Sequence, residues 1–382
     1  MIHTKKKKKV IAVNTRFLLD GRLEGIGWFT YETLKRLVAW HPEIDFIFFF
    51  DRPFHSKFVF ADNVTPVVLF PPARHPILFY CWFEFAVNRA LKKYQADIFI
   101  STDGFLSLKT TVPTLLVIHD LAHVHFPEQV KYIEQRYYNY FMHKFAQKAA
   151  RIATVSEYSK LDIHQQYQVP LNDIDVVYNG ARETFQAIPS NTQQQIKDKY
   201  ANGQAYFFYI GAVHPRKNVH RLIQAFSQFK QQTNAPLKLL IAGRFAWQTG
   251  QVKDAFDQSN YQQDILFLGY VKDEEVPLLM GSAYALTYIS LFEGFGIPLL
   301  EAMNCNVPVI TSNVSSMPEI IGKAGLTVSP TSIPEIVLAM TKLYENKDLG
   351  KKLSLNAQQQ RQKFSWDLTT QRLEKSLSFL GL

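Results

Sequence analysis

Residues 290–303 read SLFEGFGIPLLEAM and place two glutamates, Glu293 and Glu301, on either side of a loop containing Gly294, Gly296 and Pro298. The apolar run at 285–289 just before it has the length and composition of a buried strand. Pro298 suits the first turn of the following helix, where a missing N–H costs nothing. Such a loop lies at the carboxyl end of a strand, the edge where open α/β sheets bind ligands, and a helix N-terminus there offers unpaired N–H groups to an anion. Glu301 falls about one turn into the helix, where a carboxylate accepts hydrogen bonds from a diol, and Glu293 sits on the loop facing whatever the strand edge presents. The plainer alternative makes Glu301 a complement to the helix dipole and Glu293 a solvated loop residue. It leaves the glycines and both spacings unexplained.

A second strand–loop–helix stretch, YFFYIGAVHPRKNVHRLIQAF at 206–226, carries Arg216 and Lys217 immediately before Asn218, a residue type that caps helices, and the helical face Leu222, Ile223, Phe226. Two cations at a strand's carboxyl edge suit a diphosphate better than the solvated basic turn that is the alternative. The chain has neither a Walker A sequence nor a G-x-G-x-x-G fingerprint, so the phosphate site is of another kind. Near the N-terminus, DGRLEGIGWFTYETL places Gly25 and Gly27 in what reads as the turn between the first strand and its helix, a weak signal alone.

The stretch LLVIHDLAHVHFPE at 115–128 brings His119 and Asp120 to a strand end, with His123 and His125 close behind. Their spacing matches no zinc helix and no partner cluster accompanies them, so no metal is assigned, and His119 is read as a residue that meets substrate. Asp173 and Asp175 form a D-x-D pair, but they precede a strand instead of ending one and read as structural. The aromatic segment at 77–87, flanked by Arg74, Arg89, Lys92 and Lys93, reads first as a core helix, with an acceptor or membrane-docking surface as the alternative.

The elements that hold these residues repeat one rhythm: short β-branched or aromatic runs alternate with longer helical stretches, which predicts parallel sheets. Strands are expected at 9–14, 45–50, 67–70, 98–101, 114–119 and 151–155, and again at 206–210, 237–242, 265–270, 285–289, 307–311 and 326–328. Between the two sets the composition turns to Gln, Lys and Asn over 189–202, a linker followed by a helix. The 382 residues suit two domains, divided at 185/186, with a final helix from about 366 that has Leu368, Leu373, Leu377 and Leu380 for one face.

Composition removes several function classes. Hydrophobic residues at 47% and charged residues at 20% describe a globular chain, and the two cysteines, Cys81 and Cys305, make no CxxC pair. No apolar run reaches the roughly 18 residues a membrane helix needs, and the apolar residues at 10–13 are too few for a signal peptide, so a cytoplasmic protein is expected. Of the net charge of +9, five units come from Lys5, Lys6, Lys7, Lys8 and Lys9. This tail reads as a solvated terminus, or else as an attraction to an anionic membrane surface. Nothing in the chain turns that charge into nucleic-acid recognition.

Together these motifs resemble the retaining glycosyltransferase family 4 of the GT-B fold, over nearly the whole chain. The E-x7-E of Glu293 and Glu301 carries most of the likeness, joined by PRKN at 215–218, VSEYSKLDI at 155–163 and VVYNGARETF at 176–185; VIHDLAHVHFPE resembles the mannosyltransferase-like branch. The resemblance implies two Rossmann-like domains with parallel sheets facing across a cleft, the final helix returning to the first domain. It implies a nucleotide-sugar donor, with GDP-mannose favoured, a glycan or lipid-linked acceptor, no metal and no other cofactor, and work in cell-surface polysaccharide or lipopolysaccharide assembly. On matching positions, Arg216 and Lys217 would grip the diphosphate, Gly294, Phe295 and Gly296 would contact donor sugar and phosphates, and Glu301 would hold the ribose. Glu293 and His119 would meet the donor sugar, and Gly25 and Gly27 would let the first loop approach the phosphates. Many members have a basic residue where this chain has Ala212, which puts more of the phosphate neutralisation on Arg216 and Lys217. A glycoside hydrolase using Glu293 and Glu301, a nucleotide-sugar epimerase on the same fold and a non-enzymatic lipid binder are the rival readings.

Overall fold

The computed structural model describes residues 8–21, 23–244 and 250–382. The chain divides into two units, one running through Asn179 and completed by Trp366–Leu382, the other comprising Gly180–Ser365.

In the first unit seven parallel strands, β1 (Val10–Asn14), β2 (Asp45–Phe50), β3 (Val64–Val68), β4 (Ile98–Ser101), β5 (Thr114–Ile118), β6 (Arg151–Thr154) and β7 (Ile174–Val176), stack in the order β3-β2-β1-β4-β5-β6-β7. The central strands are apolar throughout because helices cover both faces: Ile11, Ala12 and Val13 of β1 and Phe46, Phe48, Phe49 and Phe50 of β2 are all closed off from solvent. β3 lies earlier than the run at 67–70 suggests, at Val64–Val68, and it includes Pro66. Proline has no N–H to give a ladder, and β3 tolerates it because it is an edge strand.

The C-terminal helix Trp366–Ser378 packs on this unit against the helix Gly25–Trp40. Its buried residues are Trp366, Thr369, Thr370, Leu373, Ser376 and Leu377, a polar-lined face narrower in leucine than the sequence suggests. Arg36 reaches Asp367 at 2.5 Å, and the Thr369 hydroxyl donates to the Tyr178 carbonyl at 2.6 Å.

The second unit holds β8 (Ala205–Ile210), β9 (Leu237–Ala242), β10 (Ile265–Gly269), β11 (Ala285–Tyr288), β12 (Val309–Ser312) and β13 (Gly325–Val328), all parallel, in the order β10-β9-β8-β11-β12-β13. The order reverses between β8 and β11, so the loops after these two neighbouring strands open side by side at the carboxyl edge. That is the topological switch point at which open α/β sheets place ligands.

Candidate functional site

The site in the second unit is built where the loops after β8, β11, β12 and β13 meet. After β8 the chain enters a single 3₁₀ turn, Pro215–Lys217, and then the helix Val219–Thr233. Asn218, expected to cap that helix, does something else. Its backbone is left-handed at φ 60° and its side chain makes no cap bond. Its amide instead donates to the carbonyls of Ile289 (3.0 Å) and Pro330 (2.7 Å), while its oxygen accepts from Arg221. A buried amide that joins three strand-end loops fixes where Arg216 and Lys217 stand.

The loop after β11 is held from both sides. The Leu291 N–H donates to the Arg216 carbonyl at 2.8 Å, and Arg216 returns a bond from Nη1 to the Phe292 carbonyl at 2.6 Å. From the loop after β12, the Ser315 hydroxyl accepts from the Glu293 N–H at 3.1 Å, and the Ser316 hydroxyl lies within bonding distance of the Glu293 and Phe295 carbonyls. Gly296 then takes φ +92°, a left-handed conformation that admits glycine without strain, and starts the helix Ile297–Asn304 with Pro298 in its first turn. Phe295 is buried with its ring edge-on to Phe364.

Both glutamates are buried, and both have cationic partners. Lys217 Nζ lies 2.6 Å from Glu293 and donates to the Tyr288 hydroxyl at 2.9 Å; Arg216 lies 3.6 Å from the same carboxylate. Burial alone would raise the Glu293 carboxyl, but the two cations outweigh it and hold its pKa below the ordinary value. One turn into the helix, Glu301 takes two hydrogen bonds from Arg182, and here burial wins, raising its pKa despite that partner. The result is two carboxylates in opposite regimes, one firmly ionised between phosphate-type cations and one poised by a single arginine.

Four of these participants escaped the sequence reading: Arg182, Tyr288, Ser315 and Ser316. Arg182 had a signal, since it lies within VVYNGARETF, but nothing local ties it to Glu301. The two serines follow β12 in a stretch, TSNVSSMPE, that carries no charge to mark it before Glu319.

In the first unit the sheet's carboxyl edge carries its own polar cluster. His119 follows β5 directly, and its Nε2 lies 2.9 Å from the Thr102 carbonyl, a geometry in which Nε2 carries the proton and donates it. Burial lowers the His119 pKa, so the ring is neutral at pH 7 with Nδ1 as the acceptor. The other histidines go elsewhere: His123 pairs with the Tyr167 hydroxyl at 2.8 Å and His125 with Asp162 at 2.9 Å. Among the described residues no three His, Cys, Asp or Glu side chains are grouped as a metal site. Asp175 is taken by Arg151 at 2.5 and 2.7 Å, a structural pair.

Gly25 and Gly27 do not form a turn. Both lie in the first turn of the helix Gly25–Trp40. Gly27 is needed there for space, since a Cβ would meet the Phe17 carbonyl oxygen at 2.8 Å. Of the lysine tail, Lys5, Lys6 and Lys7 lie outside the described residues; Lys8 is 3.2 Å from Asp45 and Lys9 bonds the Gly381 carbonyl.

Comparison with known proteins bears on both units. The model for Glycosyltransferase Family 4 matches residues 23–184, and the model for Glycosyl transferases group 1 matches 191–360. The chain is 28% identical over 367 residues to the O-antigen chain mannosyltransferase B of Escherichia coli, covering 92% of this chain and 95% of that one. It is 27% identical over 259 residues to the O-antigen chain mannosyltransferase RfbU of Salmonella typhimurium, covering 67% of each. Among solved structures, Anabaena HepE in complex with UDP and glucose superposes with a TM-score of 0.75 at 17% identity, over 97% of this chain and 100% of that one, a likeness of fold.

Proposed function

The chain belongs to the glycosyltransferases, a family 4 match forming its first half and a group 1 match its second, and on that premise we propose that it moves mannose from GDP-mannose to a glycan or lipid-linked acceptor in O-antigen assembly. Transfer retains the anomeric configuration, needs no metal, and takes place at the cytoplasmic face of a membrane. The observation that carries the reading is the cluster of Arg216, Lys217 and Glu293 at the switch point of the second sheet, with Glu301 one helical turn beyond.

The bond to be broken joins an anomeric carbon to a nucleoside diphosphate, so the protein's task is to stabilise departing negative charge. Arg216 and Lys217 are held in place by Phe292, Tyr288 and Glu293 before any ligand arrives, so they need little reorganisation when that charge develops. They supply the charge neutralisation that a divalent metal provides in other transferases. The backbone from Gly294 to Gly296 and the helix N-terminus beyond it extend the same field toward donor sugar and phosphates.

Glu301 is assigned the ribose hydroxyls. Glu293, ionised and already engaged by two cations, is assigned the role of electrostatic partner, orienting the donor sugar and stabilising the positive charge that builds at the anomeric carbon. The first unit's contribution to the reaction is assigned to His119, a neutral imidazole whose protonation is set by the Thr102 carbonyl. Gly27 has a packing role in the helix that follows β1, and with Gly25 it is assigned to shaping the loop beside it.

A thermal-shift panel of UDP, GDP and ADP with their sugar conjugates, run with and without divalent metal, tests this. A ligand at about 100 times its Kd adds roughly 2.7 kcal/mol to stability. A metal-independent shift with guanine nucleotides and GDP-mannose is the expected result. A shift with another base replaces the donor, a shift only with metal removes the metal-independent mechanism, and no shift with any nucleotide overturns the reading.

A further inference from the structure

We propose that two adjoining helical segments of the first unit, Pro76–Cys81 continued by Trp82–Val87, and Tyr132–Lys148, form the surface on which this protein lies against an anionic lipid bilayer. The proposal gives the membrane placement in the reading above a specific face, and it does not depend on the donor.

The two segments pack side by side through ring contacts, Phe79 on Tyr137 and Tyr80 on Phe141, each with centroids 5.9 Å apart. Their inner residues, Trp82, Phe83 and Val87 on one side and Met142, Phe145 and Ala146 on the other, are buried in the core of the unit. The aromatic run read first as a core helix is therefore only half core. On the outside stand Ile77 (67% exposed), Phe85 (51%), Tyr132 (68%), Ile133 (56%) and Tyr140 (58%), an unusual density of large apolar side chains in water.

Cations are placed directly over these rings. Lys109 Nζ lies 4.6 Å from the centroid of Phe85 and 6.0 Å from Tyr80, Lys144 Nζ lies 3.4 Å from Tyr140, and the Arg136 guanidinium lies 5.8 Å from Tyr132. Along the second helix, Ile133, Arg136, Tyr140 and Lys144 recur every three or four residues, so apolar and cationic groups alternate on one stripe. The two segments hold just two carboxylates, Glu84 and Glu134. Glu84 is buried and accepts from the Ser107 hydroxyl and the N–H groups of Leu108 and Lys109, which fixes the loop that presents Lys109.

Rings and aliphatic chains that enter the headgroup region, with cations beside them and almost no exposed carboxylate, match the chemistry of an anionic lipid surface. A single-stranded nucleic acid would also accept rings and cations, but it has nothing to bury Ile77 and Ile133 against. Among the described residues no helix is long and apolar enough to cross a membrane, so contact through this face is lateral.

The test is cosedimentation of the full chain with vesicles of phosphatidylglycerol in phosphatidylcholine, and with phosphatidylcholine alone. Wild type is expected to partition onto the anionic vesicles far more than the neutral ones. F85S/Y140S should lose about tenfold or more of that partitioning, and K109E/K144E about fivefold for each cation removed. Both pairs are partly or largely exposed, and the charge reversals touch no core residue, so at least that variant should melt as wild type does. Deleting residues 2–9 should leave the difference between wild type and face variants in place. Equal vesicle binding by the face variants and wild type would overturn the proposal. So would a wild type that ignores anionic vesicles, or face variants that alter only self-association in sedimentation velocity. Vesicle binding that depends on this face in a protein showing no nucleotide shift would leave this inference standing while the donor reading falls.

Discussion

Arg182 donates from both Nε and Nη2 to a single oxygen of Glu301, at 3.1 and 3.0 Å, with its guanidinium 4.6 Å over the Phe185 ring. Among the described residues no hydrogen bond is made to the other carboxylate oxygen, Oε2, the oxygen that the proposed ribose contact would use. One arginine thus opposes the burial that raises this carboxyl's pKa, and it engages one of the two oxygens.

Replacing Arg182 by Gln should make nucleotide affinity depend on pH. The Glu301 pKa is already raised by burial, and losing the cation pushes it up further while Asp273 continues to act in the same direction. The carboxyl then takes a proton as pH falls, and a neutral carboxyl is the weaker acceptor. Affinity measured by calorimetry from pH 8.5 to 5.5 should drop toward low pH in R182Q more than in wild type, and a parallel pair of profiles would refute the link.

Glu301→Ala should weaken binding of the ribonucleotide by on the order of 1 kcal/mol for each hydrogen bond lost. The 2′-deoxynucleotide should lose less, because it has one hydroxyl fewer to be recognised. If the variant penalises both ligands equally, the ribose assignment is wrong.

Lys217→Ala removes the nearer cation from a carboxylate that is buried. Taking the sole partner from a buried charge costs about 3–5 kcal/mol; Arg216, 3.6 Å from the same carboxylate, keeps part of the compensation, so the loss here should fall below that range. Thermal melting should show that loss in K217A and a partial recovery in K217A/E293Q. Diphosphate affinity, in contrast, should stay low in both, which separates the folding role of the pair from its ligand role.

Glu293 should also mark the acid limb of the stability curve. Its folded-state pKa lies below the ordinary carboxyl value, so its contribution to stability is present above that value and is lost as pH falls through the folded-state pKa. E293Q should therefore show a shallower decline in melting temperature below about pH 4.5 than wild type, a carboxyl's ordinary value. An identical slope in both proteins would mean that the pair does not shift that titration.

Leu377→Ala, in the closed face of the C-terminal helix, should cost about 2–5 kcal/mol. If melting of the full chain barely changes, the helix Trp366–Ser378 contributes little to the first unit's stability.

Much of this protein was legible locally. Strand and helix alternation follows from run length and composition, so the expected strands fall within a few residues of the observed ones, β3 being the furthest out because Pro66 hides an edge strand from a propensity argument, while the three-residue edge strand β7, which contains Asp175, is absent from the expected set. Seven residues separate Glu293 from Glu301, and with two glycines and a proline between them that spacing is enough to put one on a loop and the other in the first turns of a helix. Chain connectivity alone could not choose their partners. Arg182 lies 119 residues from Glu301, and Lys217 lies 76 from Glu293, distances over which no periodic pattern operates. The parallel crossovers bring β8 and β11 side by side, and only then do two cations, a buried asparagine and two serines from a later loop converge on the glutamates. Likewise, the sequence marked Gly25 and Gly27 as a turn, whereas both open the helix Gly25–Trp40, with Gly27 too close to the Phe17 carbonyl to carry a Cβ. The sequence determined which side chains stand at strand ends; the packing of those ends determined which charges are paired, and so which carboxylate is held ionised and which is poised.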